Sequence, residues 1–225
     1  MAIYSLKNIA SNRYNHLLVI LIVVMTLSPF IEQGRIMPPM KLLTLLLLAA
    51  VIVCIRAAVD NPILFWISVI LAVAAGALQY LALMPESTRI TNILYFGSRI
   101  VDCCFLALTI VVLMHHMFTT KRFTSDMIVG GICIYLLIGI LWAIFYDLSL
   151  KSSPEAISYS GDISFFYFSF VTITTLGYGD IVPASRGVMV LAQCEAVAGQ
   201  LFIAIFIARL VALHTAYEMK RKSSK

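Results

Sequence analysis

Residues 172–180 read TITTLGYGD, a short stretch whose backbone has unusual conformational freedom. Gly177 and Gly179 can adopt positive φ, which residues with a Cβ atom resist. Because these glycines alternate with Leu176 and Tyr178, successive carbonyl groups can point the same way, whereas a strand points them alternately. A row of unpaired carbonyls is tolerated at membrane depth only where it lines a cavity filled with water or ions. Four such rows around one axis would form rings of oxygen atoms able to replace the water around a potassium ion.

The segment TLGYGD, residues 175–180, resembles the selectivity filter of tetrameric potassium channels, in which backbone carbonyls replace the hydration shell of K⁺. The resemblance implies these ion-binding residues, with K⁺ at the first four: Thr175, Leu176, Gly177, Tyr178 and Gly179. Leu176 stands where valine is usual, but it keeps a bulky apolar side chain behind the filter, so we expect little change in selectivity. Thr174 and Asp180 are expected to support the filter.

The composition is that of an integral membrane protein. The chain has 225 residues, of which 61% are hydrophobic and 12% charged, with a mean hydropathy of +0.98, and a soluble domain cannot hide that much apolar surface. The net charge of +5 does not predict nucleic-acid binding, because an excess of Lys and Arg on the inner side of a membrane explains it better. No nucleophile, base or metal cluster is apparent in the sequence. We therefore expect neither an enzyme nor a cofactor, with K⁺ as the permeant ligand.

Six apolar segments follow one another along the chain, and a membrane-spanning helix needs about 20 mostly apolar residues. Lys and Arg are about twice as frequent on one side of these segments as on the other. This bias predicts that both termini are cytoplasmic and that residues 172–180 lie near the outer face of the plasma or inner membrane. The predicted segments are roughly Tyr14–Ile31, Met40–Val59, Ile63–Met84, Ile93–Phe118, Met127–Tyr146 and Val188–Leu213.

The stretch between the fifth and sixth segments predicts a re-entrant loop. Polar residues 151–161 are expected to form an outer turret, and Asp162 is a good N-cap for a half-helix from Ile163 to Thr174. Aromatic residues fill this half-helix and are expected to pack around the filter: Phe165, Phe166, Tyr167, Phe168 and Phe170. The predicted fold is therefore an all-α membrane protein with six transmembrane helices per subunit, and with a pore helix and selectivity filter between helices 5 and 6.

The sixth segment resembles the inner helix of the same channel family. Gly199 lies close to where these channels place a hinge glycine. One helical face is expected to line the cavity and the inner gate, and it carries Gln200, Ile203, Ile207 and Val211. An ordinary packing stripe is the alternative interpretation of this face.

Glu195 is an acid inside the sixth segment, where an unpaired carboxyl group would be costly. It lies ~12 Å below the start of that segment, level with the half-helix, and points about 140° away from Gln200. We therefore expect Glu195 to support the filter from behind. Its expected hydrogen-bond partner is one of Thr172, Thr174 and Tyr167, and the alternative is a protonated carboxyl group without a role.

The fourth segment lacks the array of basic residues that a voltage sensor requires. It holds Arg99, with Asp102 three residues later on the same helical surface. Moving one charge through 100 mV is worth ~2.3 kcal/mol, and steep gating uses about three or four charges per subunit. We expect a structural ion pair here and only weak voltage dependence.

The predicted function is a homotetrameric channel selective for potassium. Residues 1–120 are interpreted as a four-helix transmembrane domain similar to a voltage-sensor bundle without its charges, residues 121–216 as the pore domain and residues 217–225 as a basic cytoplasmic tail. Anionic lipid is a possible ligand of three residues in the tail: Lys220, Arg221 and Lys222. One alternative is a voltage-gated potassium channel with a degenerate sensor. Another is a non-conducting membrane scaffold or lipid-binding protein.

Overall fold

The computed structural model describes residues 14–32, 62–81, 88–119, 124–161 and 163–223, and it is mostly helical. Five long helices and one short helix carry the described chain, with two short strands near the short helix. In chain order the elements are α1 Asn15–Glu32, α2 Pro62–Leu81, α3 Thr88–Thr119, α4 Ser125–Ser152, β1 Ile157–Tyr159, α5 Phe165–Ile173, β2 Ile181–Pro183 and α6 Arg186–Ser223.

Three of the described helices are long and apolar enough to cross a membrane. These spans are Arg89–Thr119 in α3, Ser125–Ser152 in α4 and Arg186–Met219 in α6. Shorter apolar helices cover Asn15–Leu27 and Trp66–Leu81. The structure thus has a helix at five of the six predicted segments, and the second segment, residues 40–59, lies outside the described residues.

One apolar core joins the helices on both sides of the predicted domain boundary at residue 120. Leu17 and Leu21 of α1 are buried in it together with Phe105 of α3 and Leu137 of α4, and Phe202 of α6 belongs to the same cluster. Helix α4 lies at the centre, because α1, α3, α5 and α6 all pack against it. Helix α2 packs on α3. The described parts of the two predicted domains therefore share one packed interior.

A small antiparallel sheet joins the two ends of the re-entrant loop, and the sequence analysis did not predict it. Strand β1 pairs with β2 in the register Ile157–Pro183, Ser158–Val182 and Tyr159–Ile181. The backbone N–H groups of Ala184 and Ser185 both donate to the carbonyl oxygen of Ala156. The expected polar turret therefore contains a strand, because Ala156 and Ile157 are buried apolar residues within an otherwise polar stretch.

The half-helix α5 differs at its start from the prediction. It begins at Phe165, and the N-cap is Ser164, whose Oγ accepts a hydrogen bond from the N–H of Tyr167 at 3.3 Å. Serine is a favoured N-cap residue because its side chain satisfies an N–H group that the helix leaves unpaired. The predicted N-cap, Asp162, lies outside the described residues.

Candidate functional site

The backbone after α5 alternates between left-handed and ordinary conformations. Gly177 has a φ of +58° and Gly179 a φ of +82°, so both adopt the positive φ that the sequence led us to expect. Thr175 also has a φ of +58°, which the sequence analysis missed. For a β-branched residue this conformation costs about 1–3 kcal/mol and persists only where the surroundings enforce it. The alternation at residues 175, 177 and 179 is the pattern that allows successive carbonyls to point the same way.

Hydrogen bonds to the end of α5 set the direction of these carbonyls. The N–H of Thr175 donates to the carbonyl of Thr172 at 2.9 Å, and those of Leu176 and Gly177 donate to the carbonyl of Val171 at 2.9 and 3.3 Å. In a trans peptide the N–H and the preceding C=O point in opposite directions, and no cis peptide is present among the described residues. The carbonyls of Thr174, Thr175 and Leu176 therefore point away from α5.

Two large side chains of residues 175–180 are exposed in the single chain. Leu176 is 54% exposed and Tyr178 is 68% exposed, although both are large and apolar or aromatic. The ring of Tyr178 stacks on that of Tyr167 in α5, with 6.5 Å between centroids and 12° between planes. A single chain thus covers one side of the stretch through α5 and leaves its other side uncovered.

Asp180 and Tyr167 fix the C-terminal end of the stretch. The Tyr167 hydroxyl donates to Asp180 Oδ2 at 2.7 Å. This hydrogen bond is the main reason that the pKa of Tyr167 is raised from its ordinary value near 10 to about 12. The phenol is therefore protonated throughout the neutral range and remains a donor.

Helices α4 and α6 hold the C-terminal end of α5. The hydroxyl of Tyr135 in α4 donates to the carbonyl of Ile173 at 3.3 Å, just before the stretch begins. On the other side, a Cβ atom at Gly199 would lie 2.5 Å from Ile173 Cγ1 and 2.8 Å from the Ile173 carbonyl oxygen. Only glycine allows this approach. The structure thus gives Gly199 a packing role, and the expected hinge stays a prediction because α6 continues through this residue as one helix.

Glu195 lies behind α5, but its partners differ from the three that the sequence analysis expected. The carboxyl group is fully buried and contacts the Tyr146 hydroxyl of α4 and the Ser169 hydroxyl of α5, each at 2.5 Å. The expected partners bond elsewhere: Thr172 to the carbonyl of Phe168, Thr174 to that of Phe170 and Tyr167 to Asp180. That expectation was wrong because the rotation of α5 points Ser169, not the threonines, between α4 and α6. The small polar residue inside the aromatic run FFYFSF was the available signal.

The face of α6 that was expected to line a cavity is largely uncovered in the single chain. Gln200, Ile207 and Val211 are exposed, whereas Ile203 is half-buried against the core. Only 11% of the most apolar stretch of α6 is buried within the chain, against 44% for α3 and for α4. This long apolar helix therefore has far less cover from its own chain than its neighbours have.

Arg209 joins the C-terminal half of α6 to the C-terminal end of α3. Its guanidinium donates to the carbonyls of Met117 and Phe118 at 3.3 and 2.5 Å and lies 5.0 Å from the centroid of the Phe118 ring. Carbonyls at a helix C-terminus lack intrahelical partners, so a cation stabilises them there. Farther along α6, Lys222 is exposed, whereas the side chains of Lys220 and Arg221 lie outside the described residues.

Arg99 contacts two carboxylates from two helices. Its Nη1 lies 3.2 Å from Oδ2 of Asp102 in α3, and its Nε lies 3.1 Å from Oδ2 of Asp147 in α4. Tyr95 donates to Asp147, and Gln79 of α2 donates to Asp102. The sequence predicted the pair within α3 but missed Asp147, because nothing in the sequence places that residue beside Arg99.

Comparisons with known proteins point to an ion channel. A family model described as an ion channel matches residues 132–216, which include most of α4, all of α5 and the stretch after it, and most of α6. Two pore potassium channel a of Oryza sativa subsp. japonica is 33% identical over 79 residues, which cover 34% of this chain and 21% of that protein. No solved structure matches the chain. Together with the apolar helices, the family match supports a helical membrane protein of the ion-channel type and not an enzyme.

Replacing Gly199 by alanine should destabilise the folded chain by about 1–3 kcal/mol, because the added methyl group overlaps the backbone of Ile173. Unfolding of the purified protein in mixed micelles measures this change. Gly187→Ala is the matched control on the same helix, since nothing lies within 4 Å of a Cβ atom there. Equal stabilities of the two variants would contradict the proposed close packing.

Tyr167→Phe should loosen residues 177–180, because Asp180 loses its donor while the aromatic ring is kept. Hydrogen exchange of the peptide that covers residues 174–183 should become faster, with Tyr159→Phe as the control on the neighbouring strand. The raised pKa of Tyr167 adds a pH signature: the contact persists below pH 10 and is lost as the pH rises through about 12. Unchanged exchange in Tyr167→Phe would show that this hydrogen bond does not hold the stretch.

Proposed function

We propose that four copies of this chain form a channel that conducts potassium ions selectively. The observation that carries this proposal is the set of three N–H groups, of Thr175, Leu176 and Gly177, that return to the carbonyls at the end of α5. They turn a row of carbonyl oxygens outward, where only an ion or water could satisfy them in a membrane. The similarity to a protein named as a potassium channel supports K⁺ as the permeant ion.

A single chain offers one row of oxygens, whereas an ion without its water needs ligands on all sides. Four rows around one axis meet this need. The exposure of Leu176 and Tyr178 and the uncovered length of α6 favour an assembly in which other copies cover them. In this proposal, K⁺ is coordinated by backbone carbonyls along the filter, and the ion-binding residues are Thr175, Leu176, Gly177, Tyr178 and Gly179.

The surrounding residues take supporting roles in this proposal. Thr174, Asp180 and Glu195 hold the filter, and the C-terminal end of α5 directs its negative dipole end toward the cavity, which favours a cation there. Gly199 serves as the hinge of α6. The cavity and gate are lined by Gln200, Ile203, Ile207 and Val211. The termini are cytoplasmic, and the basic tail at Lys220, Arg221 and Lys222 contacts anionic lipid.

The ion pairs of Arg99 favour a channel whose opening depends only weakly on voltage. Its two carboxylate partners lie on α3 and on α4, so the ion pair with Asp147 connects the fourth predicted segment directly to α4, the first helix of the predicted pore domain. A charge that is neutralised and attached to the pore contributes little to the movement of charge across a membrane. A degenerate voltage sensor would need Arg99 to leave both partners, and a non-conducting scaffold would leave the row of carbonyls without a role.

Gly177→Ala should abolish potassium flux into liposomes while the assembly persists, because a Cβ atom disfavours the φ of +58° that the filter requires. Gly161→Ala is the matched control: Gly161 also has a positive φ, of +85°, with nothing within 4 Å of its Cβ position, but it lies in the outer loop. Flux through the control should remain. Equal sodium and potassium flux through the unmodified protein would overturn the proposal.

Open probability should change little with voltage in planar-bilayer recordings. Arg99→Gln should leave the conductance–voltage slope unchanged and lower the free energy of unfolding by about 3–5 kcal/mol, because the buried carboxylate of Asp102 and the partly buried one of Asp147 lose their cation. Arg89→Gln, at the exposed start of α3, is the control. A steep curve with several gating charges per subunit, reduced by Arg99→Gln, would instead identify a voltage sensor.

A further inference from the structure

Three fully buried polar side chains meet between α4, α5 and α6. Tyr146, Ser169 and Glu195 are all 0% exposed. The Tyr146 hydroxyl lies 2.5 Å from Glu195 Oε2, and Ser169 Oγ lies 2.5 Å from Glu195 Oε1. Ser169 Oγ also lies 2.7 Å from the carbonyl oxygen of Gly139. These contacts form one chain of oxygen atoms from α6 through α5 to α4.

The number of protons in this chain decides the state of Glu195. Each of the three oxygen–oxygen contacts needs one hydrogen atom between the two oxygens. Tyr146 and Ser169 each supply one, and the Gly139 carbonyl supplies none. An ionised carboxylate supplies none either. In one of the three contacts, two buried oxygen atoms would then face each other with no hydrogen atom between them. The third hydrogen atom must therefore come from Glu195.

We infer that Glu195 is a neutral carboxylic acid that donates its proton to Ser169 and thereby positions the half-helix. Ser169 accepts from Glu195 Oε1 and donates to the Gly139 carbonyl, while Tyr146 donates to Glu195 Oε2. All three contacts are satisfied only in this arrangement. The charge state follows from these contacts alone, whereas its consequence for ion conduction rests on the proposed function.

The charge state of Glu195 affects the row of carbonyls through the position of α5. Ser169 lies two residues before Val171, whose carbonyl receives the N–H groups of Leu176 and Gly177. If Glu195 were ionised, Ser169 would donate to the carboxylate, so its hydrogen bond to the Gly139 carbonyl of α4 would be lost. The neutral acid therefore keeps α5, and with it the row of carbonyls, in place.

Among the described residues, the titratable side chains that interact with Glu195 are tyrosines. The titratable groups near the acid are Tyr146 and Tyr135 from α4, while Cys194 precedes it on α6; α5 contributes Ser169, which does not titrate. Tyrosine ordinarily ionises above neutral pH. No cation from this group offsets an ionised carboxylate, which is consistent with the neutral state.

Infrared spectroscopy of the purified protein at neutral pH tests this inference without ion conduction. The unmodified protein minus Glu195→Gln should show the carbonyl band of a protonated carboxylic acid. Glu155→Gln, which changes an exposed acid, should not remove that band. Ser169→Ala and Tyr146→Phe should each shift it to higher wavenumber, because each removes a hydrogen bond to the acid. Absence of the band, or a carboxylate band in its place, would overturn the inference. If Glu195→Gln does not fold, the band shifts in Ser169→Ala and Tyr146→Phe still test it.

Flux through liposomes tests the consequence for the pore. Glu195→Gln presents an N–H donor to Ser169 and a carbonyl to Tyr146, so it should keep potassium flux within about threefold of the unmodified protein. Ser169→Ala should lower flux by about tenfold, the effect of one lost buried hydrogen bond. If the infrared band is present but no variant conducts, the proposed function fails and the neutral acid stands. If Glu195→Gln loses flux while Ser169→Ala keeps it, the positioning role is wrong.

Discussion

The N–H groups of Thr175, Leu176 and Gly177 bond back to the end of α5, and the rest of the structure depends on this constraint. Three consecutive peptide planes are fixed by bonds to the carbonyls of Val171 and Thr172, and trans geometry then turns the opposite carbonyls away from the helix. The strained φ of Thr175 is the conformational cost of this arrangement. A loop that only connected two helices would have no need of that strain, whereas a surface that coordinates ions needs oxygens held in fixed positions.

Because α5 orients the carbonyls, the structure of the proposed filter depends on how α5 is held. Helix α4 contacts the C-terminal end of α5 through Tyr135, and α6 contacts the same end at Gly199. Ser169 joins the middle of α5 to both helices, and Tyr167 ties its first turn to Asp180 beyond the filter. The half-helix is thus held at three levels by different chemistry, and the same helices that span the membrane fix the carbonyl row.

The sequence predicts the parts of this arrangement that depend on local chemistry. The positive φ of Gly177 and Gly179 and the helices at five of the six apolar segments follow from residue type and hydropathy. The pairing of β1 with β2 and the contacts of Arg99 with Asp147 and of Glu195 with Ser169 join residues far apart in sequence. No periodicity reports such distances. The partner of Glu195 depends on which face of α5 points toward α6, and an error of about two residues in helical phase reverses that face. The second apolar segment lies outside the described residues, so six spans stay a prediction.

The most direct test is to locate the ion itself. Thallium or rubidium soaked into crystals of the assembled protein should give anomalous peaks on a fourfold axis, spaced along the carbonyls of Thr175, Leu176, Gly177 and Tyr178. We expect these peaks in the unmodified protein, and we expect them to disappear when added potassium displaces the thallium or rubidium. Peaks placed elsewhere, or carbonyls that face protein atoms instead of the axis in the assembly, would contradict this account.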